Sequence, residues 1–348
     1  MPALLGHPHQ AVLAGASNKT FAELNRRGKP FLILNATDMA SGEIFAFTPK
    51  RFDDICSDLD KQAISAAVGA SSAVPIVVSP VALQNYSVEH CQGRPIPQWI
   101  KTRLEGRFAP YVNLREYKLA RYANDLRRGN DSVRRIDYLY LLDGGLADNL
   151  GIHGLLQTIS SPYAAPITVD PSSGLNESNT ILEAINAGLI KKLAVILINA
   201  RAEPRNDIDQ IPSRPGVVAM VESVTSIPIN SASASVSSQM ELLLGQLDAA
   251  ATGGPGNPRF TGLNVYAVQI DFDQLRASDP KQRELRSKAN EIPTLWTITK
   301  DHREVIEQVG TLLLHQHPCF QRLLLDMSIN ADFVDPKFAR IGCRQSTD

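Results

Sequence analysis

The chain has 348 residues, a length that suits one large α/β domain or two smaller domains. Its composition is 43% hydrophobic and 20% charged, which is ordinary for a globular protein with a sizeable core. Lysine and arginine total 35 and aspartate and glutamate total 36, a formal net charge of -1. This balance excludes the basic excess that is typical of nucleic-acid-binding proteins, so no nucleic-acid partner is expected.

Elements in the first part of the chain follow from apolar spacing and from glycine and proline breakers. Residues 20–27 (TFAELNRR) predict a short helix that ends at a glycine and a proline. Short apolar segments predict strands over 31–36 and 43–48, with a turn at 37–42 between them. An alanine-rich stretch predicts a helix over 60–70, opened by an acidic residue.

The middle of the chain is predicted to contain a long insertion followed by a strand. An apolar run crosses residues 71–80, and residues 85–129 form a long insertion with a helix near 115–128. Residues 138–142 (YLYLL) predict a strand that leads directly into Asp143.

The second half alternates helices with strands. The helices are predicted over 150–160, 181–190, 217–224, 231–250, 281–291 and 302–315, and the strands over 193–199 and 263–271. Strands that alternate with helices favour an α/β three-layer fold.

No metal or cofactor site is predicted. No CxxC pair or zinc-type spacing joins the four cysteines, Cys56, Cys91, Cys319 and Cys343. We interpret His315, His317 and Cys319 as a helix end in which the cysteine packs and both histidines face water. Sparse cysteine suits a reducing compartment and leaves disulfides open.

No targeting or membrane-spanning segment is recognised. No apolar run reaches the roughly 18 residues that a transmembrane helix needs. Residues 1–15 lack the charged region, apolar core and cleavage site of a signal peptide. The location of the protein is therefore left unknown, and residues 1–19 are interpreted as a remnant of a preceding segment or linker.

The most specific motif is LLDGGLADNLG, at 141–151. Asp143 follows a strand, and the C-terminal edge of a sheet is where α/β enzymes place reactive groups. Gly144 and Gly145 predict a sharp turn, because glycine accepts positive φ without steric cost. The following Asp148–Asn149 makes the motif more specific than DGG alone.

The DGG segment with Asp148–Asn149 resembles the signature of patatin-like phospholipases. Residues 70–75 (ASSAVP) and 34–42 (LNATDMASG) resemble two further segments of this family, in the family's order. The resemblance covers residues 20–155. It implies a three-layer α/β/α fold with a central, mostly parallel sheet, N-terminally incomplete. Residues 20–155 would be the C-terminal part of the catalytic domain, and 156–348 an α/β continuation.

The resemblance also implies a lipid acyl ester hydrolase that uses a Ser–Asp dyad. Asp143 would act directly as the base for the serine, which is a poor nucleophile without one. The substrate would be a phospholipid or another acyl ester, with peripheral membrane contact. The plainer alternative is that Asp143 only caps a turn.

The other residues near the motif are expected to support the site. Asp148 and Asn149 are expected to be turn and cap residues, and His153 a surface residue. Ser71, Ser72 and Pro75 are expected to line the site or bond local backbone.

The sequence contains no GxSxG serine elbow. Ser17 lies in GASNK, where Lys19 replaces the second glycine, and Ser71 follows a helix and precedes Pro75, which obstructs a helix. The expectation is that the serine precedes Met1. The alternatives are a non-catalytic lipid-binding or regulatory pseudoenzyme, and an unrelated hydrolase or transferase that uses Asp143 with a metal. An exposed apolar groove is expected beside residues 32–34 and 138–142.

Overall fold

The computed structural model describes residues 18–26, 31–75, 78–87, 95–106, 114–128, 135–155, 184–185, 187–201, 216–251, 263–292, 297–328 and 343. The chain divides into two compact units. The first unit comprises Met1–Thr168 with Thr225–Ala234, and the second comprises Val169–Val224 with Ser235–Asp348. The fold class is mixed α/β, as predicted.

The first unit contains a four-stranded sheet in the order β2-β1-β4-β3. Its strands are β1 (Asn35–Asp38), β2 (Ile44–Ala46), β3 (Val81–Gln84) and β4 (Tyr138–Asp143). All three pairings are antiparallel, and the central one joins β1 to β4 with Ala36 opposite Asp143.

The prediction of a mostly parallel central sheet is wrong for the described residues. The chain reverses between β1 and β2 through a tight turn in which Gly42 has φ 71°, and so short a connection requires antiparallel pairing. The described parallel pair lies instead in the second unit. The first strand also begins later than predicted, at Asn35, because Phe31 and Ile33 are exposed and outside the sheet.

Helices precede, separate and follow the strands of the first unit. They are α1 (Phe21–Asn25), α2 (Pro49–Asp54), α3 (Ile64–Ser71), α4 (Gln98–Glu105), α5 (Leu114–Arg128) and α6 (Gly145–Asp148), with a 3-10 turn at Leu59–Lys61. The predicted helix α1 is confirmed. Thr20 accepts from Glu23 N–H while the Glu23 side chain accepts from Thr20 N–H, which is a capping box.

The core of the first unit is built on four phenylalanines. Phe21, Phe45, Phe47 and Phe52 are each at most 2% exposed, and their neighbouring ring centroids lie 5.6 to 6.4 Å apart. Such edge-on and offset contacts add to the free energy gained by burying apolar area. The Phe45 and Phe47 spacing that predicted β2 therefore also marks the core.

A buried ion cluster joins α2 to α5. Arg127 Nη1 donates to Asp53 Oδ2 at 2.8 Å and to Asp54 Oδ1 at 2.9 Å, and Arg51 Nη1 donates to Asp54 Oδ2 at 3.0 Å. The side chains of Arg127 and Asp54 are only 8% and 4% exposed. A carboxylate this buried is stable only while its cations remain, so the cluster fixes α5 against α2.

The second unit contains a parallel pair, β5 (Lys192–Asn199) and β6 (Asn264–Asp271), both close to the predicted bounds. Its helices are α7 (Val217–Ala251), of which Thr225–Ala234 belong to the first unit, α8 (Pro280–Asn290), α9 (Lys300–Gln316) and α10 (Pro318–Asp326), with a 3-10 turn at Phe272–Gln274. The two helices predicted over 217–224 and 231–250 are one helix that continues through Pro228. One proline removes a single backbone donor, which weakens a helix without ending it here.

Exposed apolar side chains occur where apolar surface was expected. Phe31, Ile33, Tyr138 and Tyr140 are between 39% and 51% exposed. Among the described residues, no helix combines the length and apolar character that crossing a membrane requires.

We expect Arg127→Met to lower the free energy of unfolding by about 3 kcal/mol, because Asp54 stays buried with one fewer cation. Urea denaturation would measure the change. Arg135→Met is the matched control, since Arg135 and Asp137 form an exposed pair at 2.7 Å and its loss should cost less than about 1 kcal/mol. Equal, small losses for both variants would contradict a structural role for the buried cluster.

Candidate functional site

Asp143 is the last residue of β4, and its side chain belongs to the core face of the strand. Leu139 and Leu141 are buried while Tyr138 and Tyr140 are exposed. Because side chains alternate along a strand, Asp143 shares the side of Leu139 and Leu141. The strand ends there, so the carboxylate is half-buried rather than enclosed.

The backbone of Asp143 is fixed on both sides. Its N–H donates to Ala73 O at 2.9 Å, and its carbonyl accepts from Thr37 Oγ1 at 2.8 Å. The next residue continues this contact, with Gly144 N–H donating to Ser71 O at 3.1 Å. The structure therefore brings together the three segments singled out in the sequence: LNATDMASG, ASSAVP and DGG.

The two oxygens of the Asp143 carboxylate differ. Oδ1 accepts from Gly145 N–H at 2.7 Å, whereas Oδ2 has no hydrogen-bond partner among the described residues. Burial raises the pKa of Asp143, and the Gly145 hydrogen bond opposes that rise. One oxygen is thus held in place while the other is available to accept a proton.

Gly144 is required for space rather than for positive φ, and neither Gly144 nor Gly145 has positive φ. Gly144 has φ -64° and ψ -28°, which any residue adopts, so the sequence-based reason for a glycine here is wrong. A Cβ on Gly144 would lie 2.2 Å from Asn35 O, a backbone atom that cannot move aside. A Cβ on Gly145 would lie 2.9 Å from Oδ1 of both Asp143 and Asn149.

The serines of ASSAVP contact the site through backbone or face local partners. Ser71 contributes its carbonyl to Gly144, and Ser72 Oγ donates to Val68 O at 2.7 Å, within the preceding helix. Pro75 lies in the turn that follows. The Ser72 bond matches the expected bonding to local backbone.

His153 is not the surface residue expected from the sequence. Its side chain is 14% exposed and its Nδ1 lies 3.2 Å from Oδ1 of Asp148, which is itself 2% exposed. His153 N–H also donates to Asp148 Oδ2 at 3.1 Å. Gly151, at φ 67°, turns the chain back and makes this return possible.

Asn149 and Asn35 complete the surroundings. Asn149 Nδ2 donates to Ser233 Oγ at 3.3 Å, which links the DGG loop to helix α7 within the first unit. Asn35 Oδ1 is buried and has no partner among the described residues. An unsatisfied buried acceptor beside a candidate site is unusual. Only its place in LNATDMASG could have marked Asn35 from the sequence.

The described part of the chain contains no group of three or more metal-ligating side chains. At the candidate helix end, Cys319 is buried as expected. His317 does not face water: its Nδ1 is buried and burial lowers its pKa. Ser17 and Cys91 lie outside the described residues.

Comparisons with known proteins found no matching family model, no matching curated protein and no matching solved structure. The resemblance to patatin-like phospholipases therefore rests on the sequence motifs.

We expect Gly144→Ala to lower the free energy of unfolding by about 1–3 kcal/mol, because its Cβ would overlap the Asn35 carbonyl. Gly69→Ala is the matched control, since Gly69 lies within α3 with open space around its Cβ position. That control should gain about 0.5–1 kcal/mol from the better helix propensity of alanine. A gain in both variants by thermal or urea unfolding would contradict the close approach.

The raised pKa of Asp143 predicts how the free energy of unfolding depends on pH. Because the pKa of Asp143 is raised, ionising its carboxyl costs more free energy in the folded chain than in the unfolded one. The stability that is present below the ordinary Asp pKa of about 3.9 is therefore lost as the pH rises through the raised pKa. Asp143→Asn, which keeps an acceptor for Gly145 N–H, should therefore be more stable than the wild type at neutral pH. The difference should vanish below about pH 4. Melting temperatures across pH 3–8 test this, and a gain independent of pH would contradict it.

Proposed function

We propose that this chain carries the aspartate base of a lipid acyl ester hydrolase similar to the patatin-like phospholipases. The observation that carries the proposal is the Asp143 carboxylate at the end of β4, where Oδ1 accepts from Gly145 N–H and Oδ2 has no hydrogen-bond partner among the described residues. The alternative, that Asp143 only caps a turn, uses the same Gly145 hydrogen bond and leaves Oδ2 without a role. Desolvation raises its proton affinity, which a general base requires.

The proposed reaction uses Asp143 in two proton transfers. Oδ2 accepts the proton of a serine hydroxyl while the serine oxygen attacks the acyl carbonyl. Asp143 then passes this proton to the leaving alcohol. In the second half, Oδ2 accepts a proton from water as the water oxygen attacks the acyl-serine ester. The bond between the acyl carbon and the serine oxygen then breaks, the serine oxygen takes that proton back from Asp143, and the fatty acid is released. No serine of this chain is assigned as the nucleophile, because the sequence has no GxSxG elbow.

Exposed apolar side chains in the same unit support a lipid substrate. Phe31 and Ile33 offer exposed apolar surface just before the first strand of the sheet that holds Asp143, whereas Tyr138 and Tyr140 lie on the face of β4 opposite the Asp143 side chain. An acyl chain gains roughly 0.8 kcal/mol for each methylene that it buries against such surface. A phospholipid or another long-chain acyl ester is therefore the proposed substrate class.

A second candidate function is favoured by the missing serine elbow. A chain with the same apolar surface and no nucleophile would bind lipid without hydrolysing it. One observation separates the two functions: a serine of the hydrolase would react covalently with an acyl-like electrophile, and a lipid-binding protein without a nucleophile would not.

The test uses the full-length product of the gene, including any residues encoded in frame before Met1. The protein is treated with a fluorophosphonate, which reacts with activated serines, and the adduct is mapped by peptide mass spectrometry. We expect one labelled serine per molecule and hydrolysis of long-chain p-nitrophenyl esters. Asp143→Asn should lower both rates by about 100- to 10,000-fold, the usual contribution of a general base.

Asp137→Asn is the matched control, because Asp137 immediately precedes β4 and forms an exposed pair with Arg135. It should keep the wild-type rate of labelling. Equal labelling of wild type and Asp143→Asn would overturn the role of Asp143. A folded protein without any adduct would overturn the hydrolase, and sedimentation with phosphatidylcholine vesicles would then test the lipid-binding alternative.

A further inference from the structure

Two free cysteines lie together in the second unit, away from any residue of the proposed hydrolase site in sequence. Cys319 is in the first turn of α10 and is 5% exposed, while Cys343 is half-buried. Cys319 Sγ lies 3.4 Å from Cys343 O and donates to it. Both side chains pack in one apolar cluster formed by β6, α8, α9 and α10.

The two cysteines differ in exposure, because Cys319 is buried whereas Cys343 is half-buried. The neighbouring Cys343, together with burial, raises the pKa of Cys319, and the neighbouring Cys319 lowers the pKa of Cys343. Arg322 also favours the Cys343 thiolate, whereas Asp248 and Asp326 oppose it. Asp326 is partly neutralised, because Arg322 Nε donates to its Oδ2 at 3.0 Å and Tyr266 Oη donates at 2.6 Å.

We propose that Cys319 and Cys343 are a dithiol modification site that forms a reversible disulfide by exchange with a low-molecular-weight disulfide such as oxidised glutathione. The Cys343 thiolate attacks one sulfur of the small disulfide, whose S–S bond breaks and releases one thiolate. The Cys319 thiolate then attacks the Cys343 sulfur and displaces the second small thiol. The two protons lost by the cysteines pass to the two small thiolates, so two protein thiols are oxidised and one small disulfide is reduced.

The order of the two attacks follows from accessibility. A thiolate is the nucleophile, and redox-responsive cysteines are accessible residues of low pKa beside a resolving cysteine. Cys343 is the more accessible thiol and would attack first, and the buried Cys319 would be the resolving cysteine. The closed bond would join positions that are 24 residues apart and would hold residue 343 on the apolar cluster.

The bond is also expected to stabilise the second unit, since a covalent link restricts the unfolded chain. Oxidation should therefore raise the midpoint of thermal unfolding relative to the reduced thiol pair. This effect does not depend on the proposed hydrolase, because the Asp143 site belongs to the other unit.

The experiment incubates the full chain with oxidised glutathione at pH 7.5, blocks the remaining thiols with iodoacetamide, and maps the products by peptide mass spectrometry without reduction. Cys56 is already in a disulfide and serves as an unchanged reference. The wild type should end with a 319–343 linked peptide and no bound glutathione. Cys319→Ser should stop at glutathione bound to Cys343, and Cys343→Ser should react at least about tenfold more slowly, since only the buried thiol remains.

A wild type that accumulates bound glutathione without a 319–343 link would overturn the proposal. So would equal reaction rates for Cys343→Ser and the wild type. The wild-type mapping stands without any variant, so a variant that fails to fold leaves the test intact. A stoichiometric link that dithiothreitol reverses, accompanied by the raised unfolding midpoint, is the result we expect.

Discussion

The arrangement around Asp143 depends on the absence of a side chain at Gly144. The turn after β4 passes so close to Asn35 that a Cβ would overlap its carbonyl oxygen. This approach allows the hydrogen bonds from Gly144 N–H to Ser71 O and from Asp143 N–H to Ala73 O. Three segments that are distant in sequence therefore meet at one backbone crossing. The direction of the Asp143 carboxylate is a consequence of that crossing, since its backbone is held from both neighbouring segments.

Two carboxylates of the same loop stand in different environments. Asp148 is almost fully buried, and its two oxygens face the backbone N–H and the Nδ1 of His153. Its hydrogen-bonding capacity is used to hold the loop. Asp143 is half-buried; one of its oxygens is hydrogen-bonded, and the other has no partner within the part of the chain that the structure describes. Although both aspartates belong to the same motif, only Asp143 combines partial desolvation with an unused acceptor, which is the combination that a general base needs.

Local features were predictable from the sequence, and long-range pairing was not. The short helix after Thr20, the strand that leads to Asp143 and the separate strands β5 and β6 follow from spacing within short windows. The antiparallel direction of the first sheet and strand β3 depend on which segments meet, which periodicity does not encode. The burial of His153 was not predicted for the same reason, because its contact with Asp148 depends on the turn of the chain at Gly151. The role of Gly144 required the position of Asn35 to be known.

The alternating direction of side chains along β4 explains why a charge on Asp143 costs free energy in the folded chain. Leu139 and Leu141 place the odd positions of the strand on the core face, and Asp143 continues that face where the sheet ends. An aspartate on the opposite face would join the exposed Tyr138 and Tyr140 and would be fully hydrated. The observed register instead desolvates the carboxylate and provides one N–H, from Gly145, to offset the cost. A fold that only needed a turn after β4 would be more stable with an uncharged acceptor there. The proposed proton-transfer role would account for this cost, which turn formation alone would not.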